Sequence, residues 1–278
     1  MSDMFNQQYL LDKQYNTSAN LDARIQLHER FSTNPTDWQR WVFDQLDIPS
    51  GSRVLELGTG SGQLWLHNLE RIPASWDITL SDFSSGMLQD ARENLGTCAS
   101  RFRFTVIDAQ SIPVPDHSFD YIIANHMLYH VPDRAHAFAE IRRVLHPQGR
   151  FYAATNGETH LSEMDLLCEQ AGMGAGGIMG SEARSAFTLQ NGTTQMIPWF
   201  AQVERVQFEG DLAITEAEPL IAFILSSRAP GSVSETQLRA LRTLIGGELT
   251  AHGVVHITKE TGLFVASGQN ISQIASVG

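Results

Sequence analysis

Two rhythms of apolar residues alternate along the middle of the chain. Short apolar runs occupy 54–57, 77–81, 102–107, 121–124 and 151–155. Most of the intervals between them repeat their apolar positions at helical spacing. Runs of this length bounded by turn residues read as strands, and spacing near the helical period reads as helices. The predicted strands are Val54–Leu57, Asp77–Ser81 ending at Asp82, Phe102–Ile107 ending at Asp108, Tyr121–Ala124 ending at Asn125, and Phe151–Thr155. Asp37 is placed to cap a helix whose apolar face is Trp38, Trp41, Val42 and Leu46. Further helices are expected over Gln63–Arg71, from Ser84 or Ser85 to Leu95, and after Asp133, where Phe138, Ile141 and Leu145 share a face. Strand–helix alternation at this spacing implies a parallel sheet covered by helices on both sides.

The rhythm changes on either side of this block. Residues 1–34 are a polar lead-in with helical stretches, in which Leu21, Ile25 and Leu27 or His28 recur, and Ser32-Thr-Asn-Pro35 breaks them. Beyond the fifth strand a helix is predicted over about Leu161 to Ala171, followed by Gly172-Met-Gly-Ala-Gly-Gly, which reads as a hinge. Two later helices carry capping boxes, Thr215 with Glu218 and Ser234 with Gln237. The tail, Val254–Lys259 and Leu263–Ser267 around Glu260-Thr-Gly262, reads as a hairpin. The expected division is 1–34 as an N-terminal helical lid and 35–278 as one α/β domain. Within the latter, 172–200 would be an insertion roofing the substrate, since Met173, Ile178, Met179, Phe187, Met196, Trp199 and Phe200 make it rich in methionine and aromatics.

Composition narrows the function classes. The chain has 278 residues, 42% of them hydrophobic, which supplies a sizeable core. Its formal charge of −12, with no Lys/Arg run longer than Arg142-Arg143, argues against duplex nucleic acid as a partner. No apolar run approaches the ~20 residues of a membrane span, and the N-terminus lacks the basic start and apolar segment of a secretory signal. Cys98 and Cys168 are too few for a disulfide framework, and no His, Cys or Asp spacing supports a metal. A cytoplasmic enzyme is the expectation; oligomeric state is open.

The most informative segment joins the first strand to its helix: Val54-Leu-Glu-Leu-Gly-Thr-Gly-Ser-Gly62. Glycines at 58, 60 and 62 let a ligand lie against bare backbone. A strand-to-helix turn at the edge of an open α/β sheet is where ligands bind. A P-loop is excluded because no Gly-Lys-Ser/Thr follows. A dinucleotide fingerprint would need its third glycine at position 63, which is Gln63, and Glu56 before the turn would oppose a pyrophosphate. The same carboxylate would favour a ligand carrying an ammonium and a sulfonium.

This segment resembles the first motif of class I S-adenosylmethionine-dependent methyltransferases, and the resemblance extends over roughly residues 50–157. Asp82 matches the family's acidic residue at the end of the second strand, which binds both ribose hydroxyls. Ile107-Asp108-Ala109 matches the motif whose Asp accepts from the adenine amino group. Phe119-Asp-Tyr-Ile-Ile-Ala-Asn125 matches the motif facing the methionine part. Leu145-His-Pro-Gln-Gly149 matches the turn before the fifth strand, with Gln148 in place of a glycine. The resemblance implies a Rossmann-like, doubly wound, seven-stranded and mostly parallel sheet with an antiparallel terminal hairpin. It implies S-adenosylmethionine as cofactor and S-adenosylhomocysteine as product. It assigns Glu56, Gly58, Thr59, Gly60, Gly62, Asp82, Phe83, Asp108, Ala109 and Asn125 to the cofactor, with Tyr15 of the lead-in as a further contact.

Methyl transfer is an in-line displacement on an activated donor, so alignment and water exclusion are the main tasks. An acceptor that must lose a proton needs a base. His126 and His130, in the loop after the fourth strand, have ordinary values near ~6.5 and suit that role; Tyr129 could orient an aromatic or cationic acceptor, and His28 could face it. The expected acceptor is a small hydrophobic or aromatic metabolite, as in bacterial methyltransferases of natural-product type. An NAD(P)-dependent oxidoreductase and a non-catalytic cofactor-binding regulator are the alternatives.

Overall fold

The computed structural model describes residues 26–174, 185–229 and 231–270. In chain order, helical residues 26–31 lead to α1 (Trp38–Asp44), β1 (Arg53–Leu57), α2 (Gln63–Leu66), β2 (Asp77–Asp82) and α3 (Ser85–Leu95). There follow β3 (Phe102–Val106), β4 (Phe119–Asn125), α4 (Arg134–Val144), β5 (Leu145–Asn156), α5 (Ser162–Gln170) and α6 (Gly192–Met196). The chain ends with β6 (Phe200–Phe208), β7 (Leu212–Ile214), α7 (Ala217–Ser226), α8 (Glu235–His252), β8 (Val255–Ile257) and β9 (Thr261–Gln269).

These elements form two compact units. The sheet unit holds 38–156, 186–208 and 261–278; the helical unit holds 1–37, 157–185 and 209–260. The chain therefore passes between them repeatedly, a different division from the 1–34 and 35–278 expected from sequence.

The sheet unit contains seven strands in the order β3-β2-β1-β4-β5-β9-β6. Strands β3, β2, β1, β4 and β5 pair in parallel, whereas β9 is antiparallel to both β5 and β6. This is the doubly wound, mostly parallel sheet that the alternation implied. Its two faces follow the strand period of two. Leu55, Leu57, Ile122, Ala124, Phe151, Ala153, Phe264 and Ala266 pack on one side with α4. Val54, Ile78, Leu80, Ile123, Tyr152, Ala154 and Leu263 pack on the other with α1 and α2. Both faces are covered, which is why β1 and β4 read as continuous apolar runs. Gly149 is fixed by β4: a Cβ there would lie 2.4 Å from the Asp120 carbonyl oxygen.

Three expectations change. The tail is not a hairpin: β8 pairs with β7 in a separate two-stranded sheet, and β9 joins the large sheet. The helix expected over Gln63–Arg71 stops at Leu66. Asn68 lies behind this: its Nδ2 donates to the Leu64 carbonyl at 2.7 Å and its backbone N–H turns to Trp65, so the helical ladder is not continued. Finally, Phe187, Met196 and Phe200, expected in a roof over the substrate, are core residues. They are buried in the sheet's core beside Phe138, Phe151 and Phe264, with Trp199 packed against them. Their apolarity reflects an extra packing layer, and Ile178 and Met179 lie outside the described residues.

The helical unit has its own core. Leu27 and Phe31 meet Met164, Leu167 and Cys168 of α5, Leu220, Ile221, Phe223 and Ile224 of α7, Leu241 and Ile245 of α8, and the residues of β7 and β8. Met173 packs against the same cluster. Cys168 is a core residue, and burial raises its thiol pKa.

Candidate active site

The three glycines after β1 have three separate reasons to be glycine. All adopt left-handed backbone, with φ of 67°, 55° and 79° at Gly58, Gly60 and Gly62. At Gly58 a Cβ would meet the Met127 Cβ at 2.6 Å, so the loop after β4 presses on the first turn residue. At Gly62, the residue preceding α2, a Cβ would touch Ala91 of α3 at 3.3 Å. At Gly60 a Cβ would meet nothing within 4 Å. Gly60 thus presents bare backbone to open space, as a ligand contact requires.

Glu56 and Asp82 brace this turn from two sides. The period of β1 puts Glu56 on the Val54 face, where it is 2% exposed. Its Oε2 accepts from the Thr59 hydroxyl at 2.5 Å and from the Trp65 indole at 2.6 Å. Burial outweighs these two bonds and pushes its pKa up to about 7. This alters the sequence reading of Glu56: the bonds on Oε2 tie the glycine turn to α2, so the side chain braces the loop from the packed side. Asp82, at the end of β2, accepts from the Gly60 N–H on Oδ2 and from the Ser84 N–H on Oδ1, each at 2.9 Å. Burial raises its pKa, opposed by those backbone donors and that of Phe83. Each carboxylate oxygen has lone-pair capacity left for a second donor. Phe83 beside it is 40% exposed, one of few large apolar side chains left open.

The end of β3 lies alongside, with the Ile107 N–H donating to the Asp82 carbonyl at 3.1 Å. Asp108 accepts from the Gln110 backbone at 2.9 Å and from its side chain at 3.1 Å, which fixes the turn, and Ala109 is buried behind it.

At the end of β4, Asn125 donates from Nδ2 to Gln39 Oε1 at 3.0 Å, while its Oδ1 is buried without a partner. His126 adopts φ 58°, an uncommon conformation outside glycine, and its N–H reaches the Ala154 carbonyl at 3.2 Å. Its ring lies 5.0 Å from that of Trp38 and 6.4 Å from that of Tyr129, which is 4.5 Å from the His130 ring. Desolvation lowers both His126 and His130 to about 4, so the ordinary histidine pKa assumed from sequence does not hold. Both rings are neutral at pH 7 and only weakly basic. Tyr129 packs against the apolar core.

Two expected residues fall outside the described residues of the sheet unit. His28 is in the helical unit, edge-on to Phe223 at 5.9 Å. Tyr15 is outside the described residues. Sequence reasoning missed Gln39, Met127 and the polar side of Trp38. Trp38 was legible only as part of an apolar face, and nothing local signals that Gln39 reaches Asn125. Among the described residues no three His, Cys, Asp or Glu side chains converge as a metal would need.

Comparison with known proteins agrees with this geometry. Residues 55–153 match the methyltransferase domain family. The ubiquinone/menaquinone biosynthesis C-methyltransferase UbiE of Francisella philomiragia is 31% identical over 115 residues, 41% of this chain and 46% of that protein. The malonyl-[acyl-carrier protein] O-methyltransferase of Geobacter sulfurreducens is 35% identical over 113 residues, 41% of this chain and 42% of that one. The chain thus spans less than half the length of these curated relatives. The fold is shared with YcgJ from Bacillus subtilis, with a TM-score of 0.56 and 16% identity over 84% of this chain and 98% of that chain. It is also shared with the [4+2]-cyclase SpnF, with a TM-score of 0.58 and 19% identity over 95% and 96%. Glycine turn, acidic strand ends and family match coincide on one segment: residues 55–153 match the methyltransferase domain family and carry the motifs that resemble class I S-adenosylmethionine-dependent methyltransferases.

Proposed function

We propose that this chain transfers a methyl group from S-adenosylmethionine to a small apolar or aromatic metabolite. The observation that carries the reading is a coincidence at the ends of adjacent strands. Gly60 is left-handed and open, Asp82 is bonded to the Gly60 N–H, and Asn125 keeps a buried, unpartnered Oδ1. A buried acceptor without a donor costs about 1–3 kcal/mol, so Asn125 Oδ1 is suited to take a hydrogen bond from a ligand ammonium. The two Asp82 oxygens suit a pair of ribose hydroxyls. Phe83 offers an exposed aromatic face to the adenine, and Asp108 an acceptor for its amino group.

The cofactor supplies a methyl already activated on a sulfonium. What remains for the protein is alignment and exclusion of water. His126 and His130 fit that division: burial keeps them neutral, which avoids a cation beside the sulfonium and makes each a weak proton acceptor. The two relatives are named for methylation at carbon and at oxygen. They support a small-molecule acceptor without fixing the atom.

The test is incubation with methyl-labelled S-adenosylmethionine and a panel of phenols, quinols, amines and carboxylates. Label on an acceptor together with stoichiometric S-adenosylhomocysteine is expected. Release of S-adenosylhomocysteine with no acceptor labelled, or no consumption of cofactor, would contradict the proposal.

A further inference from the structure

The methyl-transfer reading leaves one group at the β4 end unused. Trp38, the first residue of α1, has a buried indole N–H without a hydrogen-bond partner. Its ring sits 5.0 Å from His126, 5.2 Å from Trp41 and 5.3 Å from Phe208. Its neighbour Gln39 is the residue that holds Asn125. His130, linked to His126 through the rings of Tyr129, also has a buried, unpartnered Nδ1. Unpartnered polar atoms are thus grouped along one stretch, next to the Asn125 that the cofactor reading assigns to the methionine part.

The cluster has a definite chemistry. Trp38, Trp41, His126, Tyr129 and Phe208 are rings, and none carries a charge at neutral pH. Rings of this kind favour a planar apolar partner, in stacked or edge-on contact. The indole is a donor only. An oxygen on the acceptor would satisfy it, whereas an ammonium, which is also only a donor, would not. A carboxylate would meet a single N–H and no Lys or Arg among these side chains.

We propose that Trp38 selects the methyl acceptor, and that the acceptor is a neutral aromatic ring bearing oxygen, a phenol or quinol, whose oxygen accepts from Trp38 Nε1–H. The inference rests on the methyl-transfer reading and deepens it. His126 contributes a wall, held by its left-handed backbone. Trp38 is a specificity residue here, and the cofactor side chains act independently of it.

The test compares 1-naphthol with naphthalene, binding to full-length protein saturated with S-adenosylhomocysteine, in wild type and Trp38→Phe. Naphthalene is the more apolar ligand, so burial alone would favour it. The expected result is at least fivefold tighter binding of 1-naphthol in wild type. Trp38→Phe should remove most of that preference, the loss of one neutral hydrogen bond, by weakening 1-naphthol more than naphthalene, while S-adenosylhomocysteine affinity stays within about twofold. Equal affinity for both ligands in wild type, failure of both to bind, or a preference that survives Trp38→Phe would overturn the inference and leave methyl transfer standing. Failure of wild type to bind S-adenosylhomocysteine would overturn both readings. If Trp38→Phe itself loses S-adenosylhomocysteine, the wild-type comparison decides alone.

Discussion

The three glycines look alike in sequence, but each is held by a different neighbour, and substitutions should separate them. Gly58→Ala would place a methyl 2.6 Å from the Met127 Cβ at a φ of 67°. Overpacking of this kind costs about 1–3 kcal/mol, and the left-handed backbone adds about 1 kcal/mol. The variant should melt several degrees lower and bind S-adenosylhomocysteine weakly. Gly60→Ala carries the backbone cost alone and should disturb binding more than folding. Equal melting temperatures for the two variants would show that Met127 does not press on the turn.

Glu56 makes a prediction with a sign. Its pKa is raised from 4.5 to about 7 on folding, so between those values the folded state holds the proton and the unfolded state does not. Its contribution is therefore lost as pH rises from 4.5 through 7. His126 and His130 run the other way: lowered from 6.5 to about 4, they lose stability as pH falls through that window. In urea unfolding, Glu56→Gln should gain on wild type by up to about 3 kcal/mol between pH 4.5 and 7, and no further above it. A difference independent of pH would mean that Glu56 does not hold its proton in the fold.

At the scale of elements, what could be read ahead was what local rules decide. The strand ends carrying Asp82, Asp108 and Asn125 were legible because apolar runs stop there and polar residues begin. The Asp133 cap was legible too, and its side chain accepts from the His136 N–H. The capping boxes split. Ser234 and Gln237 close one at the start of α8, whereas α7 begins one residue later than Thr215 would allow, with Glu216 at its cap and no side-chain bond. Pro219 occupies the third helical position there and has no N–H to receive a cap. Thermal unfolding should register this: Ser234→Ala is expected to cost about 1 kcal/mol and Thr215→Ala less than about 0.5 kcal/mol. Equal losses would reverse the assignment. What was not legible depended on distant partners. Nothing near Val255 says that it pairs with Ile214, or near Trp38 that it meets His126.

For the whole molecule, the interleaving of two units escaped the sequence because no linker composition marks the crossings. Two of them are single steps between adjacent elements, at Asn156 to Gly157 and at Glu260 to Thr261. The proposed cofactor half of the site was readable because its residues sit on strand ends of one unit in a fixed motif. The proposed acceptor half was not, because its ring side chains come from segments far apart in sequence, Trp38, His126 and Phe208 among them. The central claim, that the glycine turn and Asp82 hold S-adenosylmethionine, is tested most directly by calorimetry of S-adenosylhomocysteine and NAD with wild type and Asp82→Ala. Stoichiometric binding of S-adenosylhomocysteine, none of NAD, and a loss of about 1.5–3 kcal/mol in Asp82→Ala are predicted. Preference for NAD, or an affinity untouched by Asp82→Ala, would contradict the account.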